Sequence, residues 1–170
     1  MITGYFDKEK ALEVLLYVSS RVQKMYHTQK IIYFANRLHL DKYGRFVIDD
    51  RIIAMKNGPV LSAVYDMIKS AKGTNSYFPE VSKSISYIHG GSSLDQLSPK
   101  READTDYLSQ SDIICLNECI EKYKNMSFTE LEQISHDELY FTANLNDEIS
   151  IDEVINHSSQ PEILRDYLKG

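Results

Sequence analysis

The sequence contains no tryptophan, two cysteines and four prolines, and it has no long apolar run. Its apolar stretches, such as residues 31–35, fall far short of the roughly 18 residues that would cross a bilayer, and the N-terminus lacks the basic-then-apolar pattern of a signal peptide. We therefore expect a cytoplasmic protein that engages no membrane. No internal repeat and no proline- or serine-rich linker divides the chain, so we expect a single domain over residues 1–170.

The residue types that usually build metal and catalytic sites are sparse and scattered. Cys115 and Cys119 stand four apart in a helical pattern, which places them on one face without good disulfide geometry, so we interpret them as buried apolar residues. None of the five histidines has a second histidine or a carboxylate at a metal-binding helical spacing. The chain has no nucleophile elbow and no phosphate-binding loop. We expect no metal, no cofactor and no enzymatic activity.

The charge is distributed unevenly along the chain, whose net charge is -6. Residues 1–72 hold 12 lysines and arginines and 7 acidic residues, whereas residues 125–170 hold 2 and 10. This acidic C-terminal part is either a solvated face that complements the basic half, or a docking face for a basic partner. The overall charge argues against nucleic acid as a partner. A DNA-binding regulator is the alternative for the basic half, although we find no helix-turn-helix signature.

The apolar pattern predicts a mainly α (α+β) fold, a compact multi-helix domain with a small β-hairpin between the second and third helices. Apolar spacing favours helices over residues 7–20 and 28–42, the second ending at Gly44. The β-prone runs 46–48 and 52–55 then predict the hairpin. The Gly58-Pro59 pair predicts a sharp junction, with the proline in the first turn of the third helix.

The second half of the sequence is predicted to be helical after an irregular stretch. Residues 73–111 are the least regular, and their β-prone segment 85–89 predicts either a strand or a loop. Ser109, Ser127 and Ser150 each begin a capping signal, which favours a helix after each of them. The acidic part over residues 125–170 is therefore expected to be helical.

A set of short motifs in the first 65 residues resembles a known family. The motifs are Gln29-Lys30-Ile31-Ile32-Tyr33-Phe34-Ala35, Tyr43-Gly44-Arg45, Ala54-Met55-Lys56-Asn57-Gly58-Pro59-Val60 and, further on, Tyr65. In order and spacing they resemble the Panacea domain of SocA-like antitoxins. A later segment, Phe128-Thr129-Glu130-Leu131 with Ile134-Ser135-His136, extends the resemblance to about residues 8–141. Met55 stands where the family often has tryptophan, and residues 139–141 replace its usual Pro-Trp.

The resemblance implies an antitoxin that neutralises a cognate protein toxin by direct binding, in a family also found in prophages. It implies one alternative, a proteolytic adaptor that hands the toxin to a cytosolic AAA+ protease, with residues 164–170 as a tether. A further alternative comes from the residues themselves. It is a hydrolase or transferase with a site around Lys30, Tyr33 and His136.

The residue types in these motifs predict a partner-binding surface. Twelve tyrosines without any tryptophan favour an interface, because tyrosine offers a rigid apolar body with a polar tip. The candidates for partner contact are Gln29, Lys30, Tyr33, Lys56, Asn57, Tyr65 and His136. Gly44, Gly58 and Pro59 are instead predicted to form a structural junction, because a Gly-Pro pair first satisfies backbone geometry. His136 has a second interpretation, in which it bonds a backbone carbonyl or a carboxylate and fixes the path of the chain.

Overall fold

A computed structural model describes residues 4–170, so the first three residues of the predicted domain lie outside it. The described chain is mainly helical with short strands, which confirms the predicted fold class. Its helices are α1 (Lys8–Val22), α2 (Met25–Tyr43), α3 (Ser62–Lys72), α4 (Val81–Ser84), α5 (Gln110–Tyr123), α6 (Phe128–Ser135), α7 (Ile151–Asn156) and α8 (Pro161–Lys169). Its strands are β1 (Ile52–Met55), β2 (Gly58–Leu61), β3 (Ile85–Ile88), β4 (Gln96–Pro99) and β5 (Glu148–Ile149). No helix in residues 4–170 is both long enough and apolar enough to cross a membrane.

Local capping signals determine where several helices begin. Asp7 accepts a hydrogen bond from the Lys10 N–H at 3.1 Å, and this satisfies a backbone donor in the first turn of α1. Ser109 forms the predicted capping box at the start of α5. Ser127 and Ser150 cap α6 and α7 in the same way, each accepting from the N–H three residues later. These helix starts are confirmed.

Helix α2 lies at the centre of the fold and packs on α1, α5, α6 and β2. Thirteen of its 19 residues are buried, so nearly every face of the helix meets other parts of the protein. The helix begins at Met25, three residues before the predicted start, because the Met25 N–H donates to the Asp95 carbonyl at 2.9 Å. Since its polar side chains are buried too, each of them needs a partner inside the fold or a ligand.

The main sheet is antiparallel with the order β2-β1-β5, and its hairpin differs from the predicted one. Met55 pairs with Gly58, so Lys56 and Asn57 form a two-residue turn. Two predictions are therefore wrong, because residues 46–48 are not a strand and Pro59 lies in β2 rather than in a helix.

Backbone hydrogen bonding explains both differences. The Asn36 side chain bonds the N–H of Ile48 at 3.0 Å and its carbonyl at 2.8 Å, so an amide side chain takes the place of a neighbouring strand. Proline is tolerated in β2 because that strand lies at the edge of the sheet. The third helix starts only at Ser62.

A second antiparallel hairpin, β3-β4, occupies the irregular stretch, and it confirms a strand within residues 85–89. Asp95 holds its loop by accepting from the N–H groups of Gly90 and Gly91 at 2.9 and 3.0 Å and from the Tyr87 hydroxyl. Strand β4 also bonds the segment before α2, where the Leu97 N–H donates to the Gln23 carbonyl at 2.8 Å. This hairpin is thereby attached to the central helix.

Gly44 ends α2, as predicted, in close contact with the C-terminal helix. Its φ of +75° lies in the left-handed region that favours glycine. A Cβ at this position would also collide with the ring of Tyr167 from α8. Both observations give Gly44 a structural role.

The adjacent Arg45 belongs to a group of polar side chains around the buried Asp112. We call it the Asp112 cluster, and it comprises the buried His39 and Asp112, the partly exposed Lys10 and Arg45, and the exposed Ser109. Lys10 Nζ lies 2.9 Å from one Asp112 oxygen and Arg45 Nη1 lies 3.0 Å from the other. The Ser109 N–H donates at 2.9 Å, and His39 Nε2 lies at 3.5 Å. Burial alone would raise the pKa of Asp112, but the bonds from Lys10 and Ser109 and the nearby charges lower it overall.

The two cysteines lie in the core beside α2, in agreement with their interpretation as buried apolar residues. Cys115 has no exposed surface and Cys119 has 4%. Burial raises the pKa of the Cys115 thiol to about 11 and that of Cys119 to about 12. Both thiols are therefore protonated near neutral pH and poorly nucleophilic.

Candidate partner-binding cleft

A cavity of about 270 Å³ lies beside the β1-β2 turn, and we call it the turn cleft. Five of the seven predicted contact residues line it, namely Gln29, Lys30, Lys56, Asn57 and Tyr65. Tyr26 and Phe128 add aromatic walls that lie outside the predicted contact set. A larger cavity of about 350 Å³ lies beside Asp50, but none of the predicted contact residues lines it. The motif residues, rather than cavity size, identify the turn cleft as the candidate site.

Lys30 lies beneath the cleft and is only 1% exposed. Its Nζ donates to the Pro59 carbonyl at 2.8 Å and lies 4.9 Å from the centre of the Tyr26 ring. Burial lowers the pKa of this amine to about 7, although the charge of Glu132 acts in the opposite direction. Lys30 thus caps a carbonyl on the outer edge of β2, and its charge changes near neutral pH.

Gly58 allows α2 and α6 to approach the strand closely. Its φ of +112° is a conformation that residues with a side chain rarely adopt. A Cβ at this position would overlap Ser135 Oγ and would lie 2.9 Å from Lys30 Cε. The predicted structural role of Gly58 therefore has a physical basis in both its backbone and its neighbours.

Three side chains hold the backbone of the turn by bonding three successive carbonyls. The Tyr140 hydroxyl donates to Met55 at 2.7 Å. His136 Nε2 lies 3.0 Å from the Lys56 carbonyl, and the Tyr26 hydroxyl donates to Asn57 at 2.6 Å. His136 Nδ1 also lies 2.7 Å from the Glu132 carbonyl at the end of α6. The geometry agrees with the second interpretation of His136, in which it fixes the path of the chain.

Three polar side chains in the lining, those of Gln29, Lys56 and Asn57, bond no other group within residues 4–170, in contrast to the turn backbone and to Lys30. Gln29 is 8% exposed, and its amide makes no hydrogen bond within residues 4–170. The side chains of Lys56 and Asn57 are exposed at the tip of the turn and likewise bond no other group in the described chain. Among the described residues, the fully buried side-chain polar atoms without a partner are His27 Nδ1 and Thr28 Oγ1, so the Gln29 amide is open to the cavity and can bond a ligand there.

Tyr33 and His136 lie elsewhere, so two of the predicted contact residues are not in the cleft. Tyr33 has no exposed surface, and its hydroxyl lies 3.5 Å from Arg37 Nη1. Burial raises its pKa to about 12. In this fold no partner can touch Tyr33, because α2 is enclosed on nearly every side. Lys30, Tyr33 and His136 are also not gathered around one cavity.

The acidic C-terminal part is largely unneutralised by the basic half. Within residues 4–170, Arg37 and Asp137 form the one ion pair that joins a lysine or arginine to residues 125–170, at 2.8 Å. Glu130 and Glu138 are exposed on either side of His136 in the sequence. Phe141, which is 70% exposed, lies next to Tyr140 with 5.0 Å between ring centres. Phe141 is therefore an exposed aromatic residue beside Tyr140, which bonds the Met55 carbonyl of the turn.

The fold and the cleft define a small, mainly helical domain with a candidate binding site. The chain belongs to the SocA-like antitoxin family with the Panacea domain, because the model of that family matches residues 28–139. The match runs from α2 to the segment after α6 and includes every residue that lines the cleft from Gln29 to Phe128. It supports a toxin–antitoxin role and a toxin as partner. Comparison with curated proteins and with solved structures gave no match.

Proposed function

We propose that this protein is an antitoxin without catalytic activity, which neutralises a cognate protein toxin by direct contact centred on the turn cleft. The observation that carries the proposal is the contrast between a fixed backbone and unpaired side chains at one turn. Tyr26, His136 and Tyr140 hold the carbonyls, while Gln29 and Asn57 present free amides. A rigid site loses little conformational entropy on binding, so its contacts contribute fully to affinity.

The surroundings of the cleft suit a protein interface. Tyr65 and Phe128 are half-buried aromatic side chains in the wall, and Phe141 is exposed nearby. Aromatic residues that fill pockets at the centre of an interface commonly dominate its binding energy. Glu130 and Glu138 are exposed and belong to the acidic residues of 125–170, whose charge would speed association with a basic partner.

Co-expression with the product of the neighbouring gene tests the proposal. We expect growth to be restored and the two proteins to purify together. The double variant Lys56→Ala/Asn57→Ala is expected to lose both effects without a change in thermal stability, because these side chains contact nothing else in the described chain. Lys83→Ala removes an exposed lysine outside the cleft and is the matched control. Persistent toxicity without a complex would overturn the proposal, and full rescue by the double variant would overturn the placement of the contact.

A proteolytic adaptor role would require a second docking face. The predicted tether, residues 164–170, is mostly folded as part of α8, where Leu164 is buried and Tyr167 covers Gly44. Ile163 and Tyr167 remain 64% and 61% exposed on that helix, so α8 is the face that a protease would contact. Measuring the half-life of the toxin with a purified AAA+ protease tests this role. An unchanged half-life of the toxin would contradict the adaptor role and would be consistent with neutralisation by binding alone.

A further inference from the structure

We propose that the turn cleft recognises the C-terminal carboxylate of an apolar or aromatic residue on the partner. The inference rests on the proposed function in one respect, which is that the partner carrying this C-terminal residue is the toxin. The cleft itself has the chemistry of a carboxylate site, which can be tested without the partner.

The charge of the cleft is positive. Lys56 and Lys30 line it, and no aspartate or glutamate in the described chain does so. Lys69 does not line the cleft, but its Nζ lies 4.8 Å from the centre of the Tyr65 ring, which does. Glu132 influences Lys30 from α6 without lining the cleft. A negatively charged group would therefore be attracted here and would meet no opposing carboxylate in the cavity wall.

The hydrogen-bonding groups match a chain terminus. The amide groups of Gln29 and Asn57 and the ammonium of Lys56 can donate to the two carboxylate oxygens. The amide oxygens of the same glutamine and asparagine can accept the N–H of the terminal peptide bond. These side chains bond no other group within residues 4–170, so they are available to a ligand without breaking a bond of the fold.

The remaining walls of the cleft are apolar. Met25, Met55 and Phe128 line it opposite the polar groups, and the methionines can adapt to different side chains. Its volume of about 270 Å³ lies below the roughly 300–1,000 Å³ of sites for drug-sized ligands. The cleft therefore suits one residue that combines a carboxylate with an apolar side chain. An internal aspartate or glutamate would supply the charge but would leave the apolar wall uncovered.

Lys30 couples this recognition to pH. A bound carboxylate favours the charged amine, whose pKa in the empty cleft is about 7. The groups that act on this amine are the Tyr26 ring, the Pro59 carbonyl and the Glu132 carboxylate, while Lys56 and Tyr65 line the same cavity. Above about pH 7 binding must take up a proton, so affinity is expected to fall, by up to about tenfold per pH unit.

Nuclear magnetic resonance titrations with two matched probes test the proposal. N-acetyl-phenylalanine carries the carboxylate. N-acetyl-phenylalaninamide has the same acetyl group and side chain but an uncharged carboxamide in place of the carboxylate. We expect the acid to shift the backbone amide signals of Asn57 and Gly58 and to bind at least about tenfold more tightly than the amide. Lys56→Gln should remove most of that difference, whereas Lys83→Gln, with the same change in net charge, should not. Equal affinities, or shifts confined to residues outside the cleft, would overturn the proposal.

The pH series gives a second readout from the intact protein. We expect the affinity for the acid to fall between about pH 7 and pH 8, and Lys30→Met to abolish the fall. If that variant does not fold, two other measurements test the proposal. The proposal is contradicted if the affinity of the wild type for the acid does not change with pH and Lys56→Gln still prefers the acid to the amide. A protein that rescues growth but binds neither probe retains the proposed function and loses this inference. A protein that binds the acid but fails to rescue growth supports this inference and contradicts the proposed function.

Discussion

The turn cleft and the Asp112 cluster lie at different ends of α2, and both gather charged groups around a short sequence motif. In the Asp112 cluster the carboxylate receives bonds from Lys10, Arg45 and the Ser109 N–H. In the cleft, Gln29 and Lys56 line a cavity and make no hydrogen bonds through their side chains in the described chain. The comparison indicates that the balance of donors and acceptors, more than the residue types, distinguishes a structural polar group from a binding site.

The two regions should therefore respond differently to substitution. Removing a member of a satisfied buried network leaves its partners unpaired and destabilises the fold. Removing a side chain that has no partner costs little stability and should change binding alone. The following variants test this difference, from the largest expected effect to the smallest.

Asp112→Ala should have the largest effect, a loss of about 3–5 kcal/mol in the free energy of unfolding, because Lys10 and Arg45 lose their shared carboxylate in a site with no exposed surface at Asp112. Urea denaturation followed by circular dichroism measures it. Glu118→Ala is the control, since Glu118 pairs with Lys42 on the exposed surface and should cost less than about 1 kcal/mol. Similar losses for both variants would contradict the structural role of the Asp112 cluster.

Gly58→Ala should cost about 2–5 kcal/mol. Roughly 1–2 kcal/mol come from the positive φ and about 1–3 from the overlap with Ser135 and Lys30. Gly73→Ala separates the two contributions, because Gly73 has a φ of +88° but nothing lies within 4 Å of the position that its Cβ would occupy. The same denaturation experiment applies to both. Equal losses would show that the close approach at Gly58 contributes nothing.

Lys30 should make the stability of the protein depend on pH. The unfolded chain keeps lysine charged to about pH 10.4, whereas in the folded state the pKa is about 7, so between these values the unfolded state binds more protons. The contribution of Lys30 to the free energy of unfolding therefore increases with pH above about 7, by at most about 1.4 kcal/mol per pH unit. The difference between wild type and Lys30→Met, measured from pH 6 to about pH 9, should show the rise. A flat or falling difference would contradict a buried amine.

Gln29→Leu should have the smallest effect on stability, within about 0.5 kcal/mol of wild type, because it replaces an unpaired amide by an apolar group of similar size. The same variant should bind the toxin measurably less well in a pull-down or by calorimetry. A loss of more than about 1 kcal/mol in unfolding free energy would show that the amide has a structural partner after all. In that case the Gln29 amide would have a structural role, like the polar groups of the Asp112 cluster.

The helices could be predicted well because their signals are local. Ser109, Ser127 and Ser150 each lie within four residues of the N–H groups they cap, so the sequence contains the whole interaction. The hairpin could not be placed correctly, because the partner of Ile48 is the side chain of Asn36 rather than a strand. The β-prone residues 46–48 look the same in the sequence whether their backbone bonds a neighbouring strand or a side chain.

The candidate site is predictable in part, and the errors have one physical cause. The family motifs put forward Gln29, Lys30 and Lys56, and the fold brings these side chains to one cleft. Tyr33 is put forward as a contact residue because it belongs to the same motif, but it has no exposed surface. A central helix is covered on almost every face, and the sequence pattern of that helix does not reveal its neighbours. Phe128 could have been found, since it opens the Phe128-Thr129-Glu130-Leu131 segment.

The β1-β2 turn has a consequence for how such a domain can change over generations. Its three carbonyls are held by Tyr26, His136 and Tyr140, and none of these bonds involves the side chains of Lys56 or Asn57. The two tip positions can therefore exchange one side chain for another while the backbone keeps its shape. Under the proposed function, changes in two codons would alter which toxin the turn contacts while the domain stays folded.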